Sequence, residues 1–197
     1  AMSIVDAEVV SPDTEPTTPE EGEDSSPPVF VQPLGTYPSV AAKLESALPY
    51  LLAVAEGYPA LQSGVAARYQ AAVALTILGR PSDANDEYEK VITLAGDLIY
   101  GRMARLGLAE AHLQVGAYAD AIGLLEQEAV AVDSGVPVDA VLMRLGHAYR
   151  LADQPNDALV AFTRVVEEFP SSVYSPDARS EIDSLRIVGS GSGASGP

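Results

Sequence analysis

The side chains whose types could do chemistry are two histidines, four serines near predicted helix starts, and two acidic doublets. His112 and His147 each stand alone on a predicted helix, with no His or Cys near in sequence. Arg144 and Arg150 lie one turn to either side of His147. A metal centre needs several convergent ligands, and two guanidinium groups disfavour a bound cation, so both histidines read as solvated or partner-facing. Ser63, Ser82, Ser134 and Ser175 stand where hydroxyls would cap helix N-termini. Glu126 and Glu128, and Glu167 and Glu168, fit a solvated helix face better than acid–base work. There is no GxSxG elbow and no phosphate loop. With no cysteine, disulfides, Cys-based zinc sites and thiol catalysis are excluded. The expectation is no enzyme: no catalytic residue, no cofactor and no metal.

The elements that carry these side chains repeat. Ala84, Ala121 and Ala158 are spaced by 37 residues, and so are Tyr88, Leu125 and Phe162. Gly79 and Gly116 keep the same interval. A fixed period of this size points to stacked helical pairs, because one pair cannot bury its apolar face alone. The apolar spacing predicts a lead-in helix over Val40–Glu56, in which Pro49 forces a kink or a restart. Three pairs follow: 64–78 with 82–95, 98–115 with 118–132, and 137–152 with 156–169. A last helix starts at Ser175-Pro176, read as an N-cap with proline behind it, and ends near Arg186. No segment alternates with period two, so no sheet is expected.

Bulk properties narrow the partners. Of 197 residues, 28 are acidic and 11 basic, a formal charge of −17 that repels phosphate backbones and anionic lipid. Nucleic acid and direct lipid binding are therefore not expected. No apolar run approaches the roughly 20 residues that span a bilayer. Residues 1–36 carry Pro, Ser, Thr and acids without apolar periodicity and are expected to be a disordered tail, most simply a solvated spacer. Residues 37–187 form the helical domain, and the Gly/Ser-rich 188–197 read as a flexible end.

Leu145, Gly146, Tyr149, Ala158, Phe162 and Pro170 resemble the tetratricopeptide repeat, which has Leu-Gly and an aromatic in helix A, alanine and an aromatic in helix B, and a closing proline. Leu108, Ala109, Gly116, Ala121 and Leu125 match it in the second repeat, and Ala72, Gly79, Ala84 and Tyr88 in the first. The period exceeds that family's 34 residues, and the early large aromatic of helix A is missing. Longer connections such as Val132–Val136 account for the excess. The resemblance implies an all-α, right-handed solenoid of about three helix pairs, with a lead-in helix and a C-terminal capping helix. The segments VAEGYPALQSGVAARYQAA and VVEEFPSSVYSPDARSEI are similar to each other and to bacterial envelope members, among them the ancillary SecYEG translocon subunit and cell-division coordinator groups. That likeness implies a periplasmic location, tethered by an anchor upstream of this chain; a cytoplasmic location is the alternative.

In that family, ligands lie in a groove lined by helices A. The resemblance carries this role to Ala66, Tyr69, Val73, Thr76 and Ile77, then to Met103, Leu106, Glu110, Leu113 and Gln114, and finally to Ala140, Met143, His147, Arg150 and Leu151. The family's clamp for acidic chaperone tails needs Lys and Asn. Its positions here hold Tyr69, Val73, Met103, Glu110, Met143 and His147, so that clamp is absent. Met103, Leu106, Leu113 and Met143 either form a groove for an apolar or amphipathic peptide or pack as core between helices. The expected function is a non-catalytic scaffold binding a protein or peptide segment in this groove. The alternative is a structural subunit or self-assembling protein; the oligomeric state is open.

Overall fold

A computed structural model describes residues 6–11, 34–131 and 135–191. Among these the chain forms eight α-helices and no strand: α1 Val40–Gly57, α2 Gln62–Ile77, α3 Pro81–Ala95, α4 Ile99–Gln114, α5 Tyr118–Ala129, α6 Val138–Leu151, α7 Pro155–Glu168 and α8 Ser175–Gly191. Each helix packs on its neighbours in the chain, and α2 also touches α4. This is an all-α solenoid: α2–α3, α4–α5 and α6–α7 are the pairs, α1 leads in and α8 caps.

Two linked clusters make the core, one from α1 to α4 and the other from α4 to α8, with Leu124 packed against both. Ala84, Ala121 and Ala158 are each 0% exposed, so these methyl groups are what let the paired helices close. Helix A of each repeat ends alike. Gly79, Gly116 and Asp153 adopt φ of 69°, 79° and 57°. Behind them Arg80, Ala117 and Gln154 donate N–H bonds of 2.9 Å to the carbonyls of Leu75, His112 and Tyr149. This left-handed closure satisfies carbonyls the helix leaves open. It needs a residue tolerant of positive φ, and Pro81 and Pro155 then start the next helix with φ already set.

Several expectations need correction. Pro49 causes no restart: α1 is continuous, because Ala47, Leu48, Leu51 and Ala55 bury one unbroken face across it. Ser63 and Ser82 lie inside α2 and α3, whose N-cap residues Leu61 and Arg80 make no side-chain cap bond. The buried Ser175 hydroxyl has no hydrogen-bond partner among the described residues, and Ser134 lies outside them. Ser39 is a side-chain cap, accepting from the Ala42 N–H at 3.1 Å. α8 runs past Arg186 to Gly191, into the segment read as a flexible end; no proline lies between Pro176 and Pro197 to stop it. In the N-terminal segment, Val10 N–H bonds to Tyr37 O at 2.8 Å and Tyr37 N–H to Glu8 O at 3.0 Å, so residues 8–10 are held by the backbone ahead of α1. Residues 1–5, 12–33 and 192–197 of the expected tails, and 132–134 of the expected long connection, lie outside the described residues.

Candidate functional site

A group of polar side chains lies where α2, α3, α4 and α6 converge around a cavity of about 350 Å³. Its base is aromatic. The Tyr69 ring lies tilted against Tyr88 and Tyr100, with centroids 6.1 and 6.0 Å away. Tyr88 enters from α3 because Gly107 on α4 has no side chain: a Cβ there would sit 2.4 Å from the Tyr88 ring. Thr76 donates to Ala72 O at 3.0 Å, its hydroxyl 3.4 Å from that of Tyr88. Met103 and Leu106 supply apolar wall, and Glu110 and Arg144 supply opposite charges.

Burial is the main cause that raises the phenol pKa values of both tyrosines above their usual range. The positive charge of Arg144 opposes this at Tyr69, and Tyr100 adds to it. At Tyr88 the Thr76 bond opposes it, and Tyr69 and Glu110 add to it. Both phenols therefore remain hydrogen-bond donors at neutral pH. Arg144 makes no ion pair among the described residues, although Arg102, Arg105 and Arg150 all do. The site can thus offer a guanidinium, a carboxylate and phenolic hydroxyls to a ligand lying on an apolar wall.

The expected groove residues divide. Tyr69, Met103, Leu106 and Glu110 meet in this cavity. Val73 and Leu113 are half-buried and pack on the core, and Ile77 is exposed. Met143 is 6% exposed and belongs to the core, so it leaves the groove wall; of the two roles open for it, packing holds. His147 and Arg150 line a separate depression of about 280 Å³ with Leu151. There Arg150 bonds to Glu181 of α8, the His147 Nδ1 lies 3.9 Å from the same carboxylate, and the His147 ring meets the Phe162 ring edge-on at 5.3 Å. The capping helix therefore already engages the two basic groups expected to face a partner.

Sequence reasoning did not place Tyr88, Gly107 or Arg144 in the site. Arg144 carried a usable signal, lying one turn from His147 on the exposed side of α6. Tyr88 carried none, because its spacing reads equally as packing, and it is indeed 2% exposed. Among the described residues, no group of three or more His, Cys, Asp or Glu could hold a metal ion, and no helix is long and apolar enough to cross a membrane.

The sequence matches no family model and no curated protein. Solved structures do resemble it in fold. A kinesin light chain-type protein of Podosopora anserina with nearly identical TPR-like repeats superposes with a TM-score of 0.57 at 18% identity, covering 78% of this chain and 90% of that one. MamA superposes with a TM-score of 0.56 at 16% identity, covering 81% and 99%. A double mutant of MamA from RS-1 gives 0.53 at 19% identity, covering 74% and 86%. The chain has a tetratricopeptide-repeat-like fold.

Proposed function

We propose that this chain is a non-catalytic protein-interaction scaffold that binds a peptide segment of a partner protein along its inner helices. The observation that carries the reading is the cavity at Tyr69, Tyr88, Glu110 and Arg144, where polar groups with unfilled hydrogen-bonding capacity border Met103 and Leu106. Peptide segments are recognised by such pairings of pocket and fixed polar groups. The place of action is the periplasmic side of a bacterial inner membrane, through an anchor outside this chain, in the manner of the ancillary translocon subunit or cell-division coordinator groups. The absence of cysteine and the acidic, proline-rich N-terminal segment support that placement. Pull-down from an envelope extract tests it, comparing the native chain with Glu110→Lys/Arg144→Glu, a reversal at two exposed side chains. The reversal abolishes capture of the partner; equal recovery by both chains rules the groove out.

A structural role is the second reading, favoured by Leu61 and Leu98. They precede helix A in two successive repeats and are 55% and 72% exposed, an apolar edge suited to a neighbouring subunit. Light scattering across concentrations decides self-assembly, since a concentration-independent monomer excludes it.

A further inference from the structure

On the side of α6 facing away from the groove, a second depression of about 290 Å³ opens between α5, α6 and α7. At 100° per residue, Leu142, Leu145 and Tyr149 fall on the side of α6 opposite Arg144 and His147. Leu142 and Leu145 form an apolar floor, and Val130 and Val160, 72% and 61% exposed, stand beside it. Two carboxylates border this apolar surface, Glu126 and Asp157. Tyr149 donates to one oxygen of Glu126 at 2.5 Å, and the other oxygen has no hydrogen-bond partner among the described residues. Asp157 makes no ion pair among the described residues. Arg164 also lines the depression, but its guanidinium is held by Glu168 through bonds of 2.7 and 3.1 Å.

An apolar trough ending in two carboxylates without cationic partners has one complementary shape among side chains. We infer that this depression docks a long cationic side chain, an Arg or Lys from a basic segment of a partner protein. Its methylene stem lies along Val130, Val160 and Leu145, and its charge sits between Glu126 and Asp157. Long basic side chains divide in just this way, burying the stem and keeping the head at a polar rim. A purely aliphatic side chain would desolvate both carboxylates without compensation, and an acidic one is repelled by them and by the net charge of −17. The electrostatics of Tyr149 agree. Burial first, then the bond to Glu126, raise its pKa, and the smaller contributions from Glu126 and Asp157 are those of negative charges beside its hydroxyl. This site is independent of the groove: it uses other helix faces and another partner chemistry.

The test is an amide NMR titration of the whole chain with the peptide acetyl-Gly-Leu-Arg-Leu-Gly-amide and with its counterpart in which citrulline, uncharged but of the same shape, replaces Arg. The Arg peptide shifts the amides of Val130, Tyr149 and Val160 and binds about tenfold more tightly than the citrulline peptide, as two partly exposed ion pairs allow. Glu126→Gln/Asp157→Asn, at two exposed side chains, removes that preference while its far-UV circular dichroism stays unchanged. Equal binding of the two peptides, an unchanged preference in the double variant, or shifts confined to α2 and α4 would overturn the proposal.

Discussion

Arg105 on α4 and Glu128 on α5 form a buried ion pair, Nε to Oε1 at 2.5 Å, with the Glu128 side chain 2% exposed. The same guanidinium reaches Gly96 O at 3.2 Å and Asp97 at 3.0 Å, and Arg102 adds a second contact to Glu128 at 3.2 Å. One repeat earlier, Arg68 does the equivalent, joining Glu87 at 2.5 Å to the carbonyl of Ala55 at 3.3 Å. Each arginine ties the negative end of the preceding helix to helix B of its own pair. Thirty-seven residues on from Arg105 and Glu128 stand Leu142 and Val165, both 0% exposed. The third repeat thus fills the same place with hydrocarbon.

That relationship predicts asymmetric mutational behaviour. Glu128→Ala leaves the buried Arg105 guanidinium with only the Gly96 carbonyl and the exposed Asp97 and lowers stability by about 3–5 kcal/mol, whereas Arg105→Leu/Glu128→Val, in which only the less buried Arg102 loses its carboxylate, costs less than that single change. Urea unfolding of the two variants checks this; equal losses in both would contradict it.

Gly146 and Phe162 make a second matched pair. A Cβ on Gly146 would lie 2.4 Å from the Phe162 ring, so Gly146→Ala costs about 1–3 kcal/mol by overpacking. In the second repeat Ala109 stands in register with Gly146, and Leu125 with Phe162. Adding Phe162→Leu therefore restores much of the loss. A double-mutant cycle in thermal unfolding reads the coupling, and strictly additive effects would refute the pairing.

Asp153 holds φ of 57° where the other two repeats use glycine. Asp153→Gly relieves a left-handed backbone and raises stability by about 1 kcal/mol. The reverse change at the corresponding site, Gly116→Asp, lowers it. Thermal midpoints moving in opposite directions confirm both halves.

Tyr149, Tyr69 and Tyr88 all titrate above the usual 10.0 when folded, with burial the leading cause in each. Below pH 10 both the folded and the unfolded chain keep these phenols protonated, so their protonation contributes no slope there. As pH rises past 10 the unfolded chain loses its phenolic protons first, and stability falls with pH until the folded phenols ionise as well. Tyr149→Phe flattens that decline, measured as denaturation midpoint against pH between 9 and 12. An unchanged slope would count against it.

Composition and spacing alone determined the class. Alanines every 37 residues, prolines at helix starts and the absence of period-two alternation specify paired helices, because these signals act within one or two turns of chain. They also located seven of the eight described helices to within three residues at either end; for α8, weak Gly/Ser propensity suggested an end where the backbone continues. Tertiary packing alone decided the site. Nothing local distinguishes Met143, drawn into the core, from Met103, left on a cavity wall, since both lie at groove-like spacing and differ only in what packs over them. The same holds for Glu181, which meets Arg150 across 31 residues, and for Glu128, a carboxylate in register with the core valines Val91 and Val165. Side-chain partners on different helices are chosen by how the pairs stack, and that information exists only once the chain is folded.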